Sequence, residues 1–497
     1  MKKKWYSNLE LFRFSLIVLL IGEFFIGISN LKTSSDLIST ILQALSQCGV
    51  LFKKLFPLAF AINFIAVKHN NGIACFIAFV SYLVLEITTM FVADNTLPTY
   101  CFSSLFNISL TSQSGALVTR MPLNLGLIGS IIIIIIVDNL YKITSKRYNY
   151  GFLTFLDNDS LLFIYACIAT AAVGAVVSLL APFVINLLDS ILKFVSTNSN
   201  NPACMAIYGL IDKSCELLQI GNITKDNFWF GSLGGSYIDL ENVTHYGDVN
   251  IWTAQIAANS VAETTGRFIS ARYILNIFIA PALVIGYYFN IKDKMDRKRI
   301  TGLAVLAILV SLISGSTICI EYLLLFTAPA LFFCHLALSS IIYMLVAVAS
   351  LPLGYSFIKT SQFATAGNII DFINYARLAA FNKTTMQMSL IGGIGFFLYI
   401  LIINIYYSVL AFDFLDNKKS NKHIDEIVRL CGSTSNIKMI TSTATDLVVV
   451  PYDKSKINVD ELLNTSIYRV KERYFGYYLQ IGPSSHAIAR RIKKLIK

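Results

Sequence analysis

Apolar residues along this chain come in long unbroken runs, not in the alternating or three-to-four spacing of soluble elements. Runs near the length that crosses a bilayer recur at Leu11–Ile28, Ile73–Val92, Leu125–Leu140, Leu161–Leu180, Tyr273–Phe289, Ile300–Ile313, Tyr343–Leu353 with the run before it, and Ile391–Phe412. Shorter pieces at Phe56–Val67, Ala203–Leu218 and Ile318–Leu336 are less regular, and several carry a proline or a charge (Pro57, Glu321, Pro329). These are expected to be broken or re-entrant, because irregular backbone survives at membrane depth only when it is buried in protein or lines a wet cavity. The pattern therefore predicts a polytopic all-α membrane domain over residues 1–412, with about ten spans plus re-entrant segments.

Near Asp413 the pattern changes. Residues 413–421 form a charged linker, and 422–497 read as a small soluble domain. Its short β-branched stretches and amphipathic segments predict helix His423–Leu430, strands Ile437–Thr441 and Asp446–Pro451, helix Val459–Leu463, strands Tyr468–Lys471 and Gly476–Ile481, and helix Ser484–Ile496. That order makes a small α+β sandwich.

Composition supports the membrane reading. The 497 residues are 55% hydrophobic and 14% charged, against roughly a quarter charged in soluble domains. The net charge of +11 does not imply a nucleic-acid partner, since basic residues sit mainly at the ends of apolar runs. Lys2, Lys3 and Lys4 place the N-terminus in the cytoplasm, and Lys142–Arg147 and Lys292–Arg299 mark further cytoplasmic loops. The first run holds Arg13 and Glu23 and lacks a small-residue cleavage site, so it reads as a retained span. From Lys418 to Lys497 there are 15 Lys/Arg against 7 Asp/Glu, which suits the inner membrane surface or an acidic partner. The nine cysteines include no C-x-x-C and lie mostly in apolar segments, so neither a disulfide framework nor a metal site is expected. No Gly-rich phosphate loop with lysine and no H-E-x-x-H appears, and no cofactor is expected. His335 reads as a satisfied core residue. Glu23, Glu86 and Asp138 fall inside spans and are candidates for function, with helix-end solvation expected for Asp138.

Several segments carry a family likeness. Phe56-Pro-Leu-Ala-Phe-Ala, His69-Asn-Asn-Gly and Tyr82-Leu-Val-Leu resemble the early membrane helices of phosphotransferase-system sugar permeases for glucose, N-acetylglucosamine and maltose. Gly247-Asp-Val-Asn, Thr265-Gly-Arg-Phe and Ala280-Pro-Ala resemble that family's substrate-lining segment. Gly315-Ser-Thr-Ile-Cys-Ile-Glu-Tyr, running on to Phe326-Thr-Ala-Pro, resembles its signature, usually G-I-T-E-P-I-E-F. Ala366-Gly-Asn-Ile-Ile-Asp-Phe is similar to the region that follows, and the tail from Ile424 to Lys497 is similar to the family's B domain. The whole resembles an EIIBC component of that family.

The likeness is worn where chemistry is expected. The family's B domain carries a phosphocysteine in a segment of the type D-A-C-x-T-R-L-R. Here the aligned stretch is Thr441-Ser-Thr-Ala-Thr-Asp-Leu-Val, with Thr443 at the cysteine position and Asp446 at the arginine position. A threonine hydroxyl without an adjacent base is not an activated nucleophile, and an aspartate repels the phosphate an arginine would hold. Cys431 stands at the family's helix-end glycine position, away from that site. In the membrane signature the two acids become Ile318 and Glu321, so one is lost. Glu321 reads equally well as a sugar contact or as a member of a buried ion pair. Thr317, Asn222, Asp248 and Asn250 are the further candidate sugar contacts that the resemblance implies. Asn222 stands where the family has a histidine pair before its F-W-F-like stretch, here Phe228-Trp-Phe. Trp229 and Phe230 read as a membrane-interface belt in preference to a sugar-stacking platform.

The resemblance implies sugar transport across a bacterial inner membrane, coupled in the family to phosphorylation from phosphoenolpyruvate, by a homodimer with cytoplasmic termini. It implies a hexose or disaccharide substrate and soluble phosphocarriers or a B domain on another chain as partners. Phosphotransfer in cis is expected to be lost. A non-phosphorylating facilitator, a membrane sugar sensor and a scaffolding subunit remain open.

Overall fold

The computed structural model describes residues 6–29, 31, 35–94, 96–111, 117–144, 157–262, 264–290, 294–355, 366–409, 417–442, 446–463, 465, 467, 469–473, 476–481 and 485–496. The chain divides into two compact units, one of residues 11–288 and 300–404, the other of 1–10, 289–299 and 405–497.

The larger unit is helical. It contains α1 (Tyr6–Ile28), α2 (Asp36–His69), α3 (Gly72–Val92), the hairpin β1 (Ile108–Thr111) and β2 (Leu117–Arg120), α4 (Gly126–Thr144), α5 (Asn158–Thr197) and α6 (Pro202–Leu217). A second hairpin, β3 (Ser236–Ile238) with β4 (Thr244–Tyr246), leads into α7 (Asp248–Ala257). There follow α8 (Ser270–Phe289), α9 (Lys294–Ser314), α10 (Ile318–Thr327), α11 (Pro329–Val348), α12 (Ile369–Ala376) and α13 (Ala379–Val409). Among the described residues eight helices are long and apolar enough to cross a membrane: α1 to α5, α8, α11 and α13.

About ten spans are expected from the sequence, and eight such helices lie among the described residues with a shorter apolar one at Thr301–Ser314; the differences are local. Phe56–Val67 is no broken piece but the second half of α2, a 34-residue helix continuous through Pro57. The carbonyl of Pro57 accepts a hydrogen bond from Ser130 Oγ at 2.5 Å. Leu161–Leu180 extends to the 40-residue α5, about 60 Å long. Tyr343–Leu353 with the run before it resolves into α11, which ends at Val348. The break expected in Ile318–Leu336 occurs at Ala328 and Pro329, where α10 ends and α11 begins with proline in its first turn. The basic stretch expected as a loop at Lys292–Arg299 is helical from Lys294.

Helices approach closely where glycine permits it, which is how membrane helices usually pack. A Cβ on Gly49 would lie 2.4 Å from the carbonyl oxygen of Gly22, pinning α1 to α2. A Cβ on Gly209 of α6 would lie 2.4 Å from the Tyr343 ring of α11. In α8 the residues Leu275–Ile279 form a wide π-turn. There the side chain of Asn276 donates to the carbonyls of Gly315 (2.8 Å), Ala366 and Gly367 (both 3.3 Å). One amide thus ties α8 to the non-helical segments that precede α10 and α12.

The smaller unit holds α14 (Asn417–Leu430), β5 (Ile437–Ser442), β6 (Asp446–Pro451), α15 (Val459–Leu463), β7 (Arg469–Arg473), β8 (Gly476–Gln480) and α16 (Ser485–Ile496). The strands form an antiparallel sheet in the order β5-β6-β8-β7. Ile440, Leu447, Val449 and Leu479 pack with Ile427 of α14 and Ile492 of α16, as the alternating pattern anticipates. Element types agree with the sequence reading throughout, and boundaries shift by a few residues. The largest shift is α14, which starts inside the expected linker.

We expect Gly209→Ala to destabilise the protein by about 1–3 kcal/mol, because the added carbon must displace the Tyr343 ring. A lowered thermal midpoint in detergent, with Gly393→Ala as the open-space control, checks this.

Candidate functional site

Helix α6 is where the membrane unit concentrates its charge. Its start is fixed by Asn201, whose side chain accepts from the Ala203 amide, and by Pro202 in the first turn. Asp212 and Glu216 follow at i, i+4 spacing with Lys213 between them, and all three are buried. Arg272, at the start of α8, meets both acids. Its Nη2 and Nε bond Asp212 Oδ2 at 2.5 and 3.1 Å, and its Nη1 lies 3.3 Å from Glu216 Oε1. Asp212 also accepts from Tyr343 Oη at 2.9 Å and Thr224 Oγ1 at 2.8 Å.

Lys213 carries the network to the signature segment. Its Nζ donates to Thr317 Oγ1 at 2.6 Å and Glu321 Oε1 at 2.9 Å, and lies 3.3 Å from Glu216 Oε2. Thr317 Oγ1 donates to the same Glu321 oxygen at 2.5 Å. On the far side, His335 of α11 places Nε2 3.6 Å from Glu321 Oε1, while its Nδ1 is 3.1 Å from Tyr399 Oη. Among the described residues Nε2 has no hydrogen-bond partner. Trp229 closes the cluster from below α6, with Nε1 donating to Tyr208 Oη at 3.2 Å and the Arg272 guanidinium 4.9 Å from its ring centre. Four helices, α6, α8, α10 and α11, thus bring carboxylates, cations and hydroxyls to one buried place. Such a set carries donors and acceptors of the kind that a polyhydroxylated guest bonds, and here they are bonded to one another.

Glu321 and Thr317 are brought together as candidate contacts, and Glu321 is in addition a member of a buried ion pair. Asp248 is buried, but its carboxylate accepts from the amides of Gly266 (2.6 Å) and Phe268 (3.0 Å), bracing the loop before α8. Asn250 is exposed and bonds the Tyr246 carbonyl at 2.8 Å. Asn222 is exposed at the single turn Asn222–Thr224. Two expectations are corrected. Trp229 is fully buried against Tyr208 and Arg272, so it is no interface belt residue. Asp138 is not solvated at a helix end but buried, with Lys68, His69 and Lys142 at 2.8, 2.9 and 2.6 Å. Glu23 pairs with Lys53 at 2.6 Å. Among the described residues no His/Cys/Asp/Glu group could hold a metal ion.

Sequence reasoning missed Lys213, Asp212, Glu216 and Arg272. The signal was present as Asp-Lys-x-x-Glu inside an apolar piece and an arginine one residue before an expected span, since charge inside membrane segments marks function or pairing.

In the smaller unit, Thr443 lies outside the described residues. Asp446 opens β6 opposite Gln480 of β8. Cys431 directly follows α14, fully buried, and burial pushes its thiol up to about 12. Beside it the Asn436 amide donates to the carbonyls of Cys431 and Asp453 and accepts from the Asp453 amide, all at 2.9 Å, which fixes the turn into β5.

A family model described as "Phosphotransferase system, EIIC" matches residues 9–340. The chain is 27% identical over 489 residues to the "PTS system glucoside-specific EIICBA component" of Staphylococcus carnosus (strain TM300), covering 93% of this chain and 66% of that protein.

Removing Arg272 should cost about 3–5 kcal/mol, because Asp212 and Glu216 would be left buried without it. The expected readout for Arg272→Ala is loss of a monodisperse solubilised protein. For Cys431 the raised thiol predicts almost no thiolate at pH 8. Iodoacetamide should modify it in denaturant and leave it intact in the folded protein, as read by peptide mass spectrometry.

Proposed function

Because the chain belongs to the phosphotransferase-system EIIC family, we propose that it binds a glucose-type sugar or glucoside and carries it across the cytoplasmic membrane. Its own C-terminal domain, on this reading, supplies no phosphate. The observation that carries the proposal is Glu321, the surviving acid of the family signature, held in a buried cluster of polar groups from four helices. A carboxylate oriented by Lys213 and Thr317 is a preformed acceptor for sugar hydroxyls. The glucoside class follows from the printed name of the Staphylococcus carnosus relative. Thr443 and Asp446, where the family places a cysteine and an arginine, support the loss of phosphotransfer in cis. Phosphate then passes from soluble phosphocarriers to a B domain on another chain, and from that domain to the sugar. The active unit is a homodimer with both termini in the cytoplasm.

The same residues favour one second reading, a facilitator or sensor that never phosphorylates its sugar. Uptake of radiolabelled glucose and methyl glucoside into membrane vesicles separates the two. Accumulation as sugar phosphate, dependent on phosphoenolpyruvate, phosphocarriers and an added B-domain protein, is the expected result. Equilibration of unmodified sugar without phosphoenolpyruvate supports the facilitator. Vesicles that neither bind nor admit either sugar overturn both.

Two further outcomes are expected. Glu321→Gln should weaken sugar binding roughly five- to hundredfold, since it removes a charged hydrogen-bond acceptor and keeps the shape, and should also lower the melting temperature, since it breaks the buried pair with Lys213. Incubation with phosphorylated carriers should leave the C-terminal domain unlabelled in the full chain, and the pair Thr443→Cys with Asp446→Arg is the variant in which label should appear.

A further inference from the structure

We propose that the paired ends of α2 and α4 form a binding site for an anionic phospholipid, with its phosphodiester on Lys68 and Lys142 and an acyl chain along α4. The polar half of the site is built around one buried carboxylate. Asp138 receives Lys68 and His69 on Oδ1 and Lys142 on Oδ2, and its side chain is 11% exposed and that of His69 8%. The two ammonium groups behave differently from this anchor: their side chains are 36% and 52% exposed. Two lysines on one aspartate leave a net positive charge held at a fixed place. The His69 ring packs on Tyr141 of α4 with centroids 4.1 Å apart and planes tilted by 40°, which holds the end of α2 against α4.

The apolar half lies on the same helix. Ile128, Ile131 and Ile135 are 42%, 46% and 54% exposed, and their three- and four-residue spacing continues through exposed Asn139 to Lys142. They share one face of α4. From Ile128 to Lys142 the rise is about 21 Å, enough to span one leaflet's share of a hydrocarbon core about 30 Å thick. An exposed isoleucine stripe that ends on a fixed cation pair matches the two parts of an anionic lipid. A water-soluble anion would have no use for the stripe, and a neutral lipid none for the charge. Juxtamembrane lysines attract anionic lipid by roughly fivefold in affinity each.

The test uses the full chain, purified and relipidated, with native mass spectrometry counting retained phosphatidylglycerol against phosphatidylcholine of the same chain length. The wild type should keep phosphatidylglycerol preferentially. Lys68→Gln with Lys142→Gln should lower that preference about 20-fold or more, by two fivefold steps. Asp138→Asn should raise it, because the competing carboxylate becomes neutral. The melting temperature in phosphatidylcholine monitors folding of each variant. If Asp138→Asn melts early, Lys142→Glu replaces it, and there the preference should vanish. Equal retention of both lipids by the wild type, or an unchanged preference in the double lysine variant, overturns the site.

Discussion

Charge buried away from water must be met by opposite charge, and in the membrane unit this requirement decides which helices touch. Asp212, Lys213 and Glu216 are only partly met within α6, where Lys213 Nζ lies 3.3 Å from Glu216 Oε2. They are met by Arg272 from α8, by Glu321 and Thr317 from α10, and by Tyr343 from α11. Buried ion pairs add little net stability when compared with apolar packing, yet breaking one is costly. Their effect is therefore on arrangement. The glycine contact between α6 and α11 lets the backbones close, and the ion pairs select the register in which they do so.

The smaller unit rests on different physics. Its core is made mainly of aliphatic side chains from strands and from two amphipathic helices, and among the described residues its buried polar side chains, Asn436 and Ser485, sit at element ends. Here burial of apolar area, and not charge pairing, holds the fold.

This contrast explains what could be read from the sequence. In the tail, period-two strands and amphipathic helices carry their own partners in the pattern, so Asp446–Pro451 was legible to the residue. In the membrane unit most positions are apolar, whether they face lipid or protein, and periodicity says little. Helices that run past a proline, such as α2 at Pro57, look interrupted in the sequence because the packing that sustains them is tertiary. Glu321 and Thr317 were legible through the family signature. Lys213 and Arg272 were not, although each is a charge inside an apolar stretch, because the partner that explains each lies 56 to 108 residues away in the chain. His335 was read as a satisfied core residue; it is buried, but its Nε2 has no hydrogen-bond partner among the described residues, and its approach to Glu321 depends on how α11 packs against α10.

The same separation has a consequence for biogenesis. As the chain leaves the ribosome, α6 reaches the insertion machinery with three ionised groups and no counter-charge beyond its own. Arg272 follows 60 residues after Asp212, and Glu321 108 residues after Lys213. At synthesis rates of about 5–20 residues per second, those intervals are roughly 3–20 s. During that time α6 must wait in a wet or protein-lined environment, since a charged helix entering lipid unaccompanied is disfavoured. Integration of the second half of the membrane unit is thus ordered in time. Helices α1 to α5 wait less, because Glu23 meets Lys53 30 residues later and Asp138 emerges after Lys68 and His69, whereas α6 is neutralised only when α8 and α10 arrive.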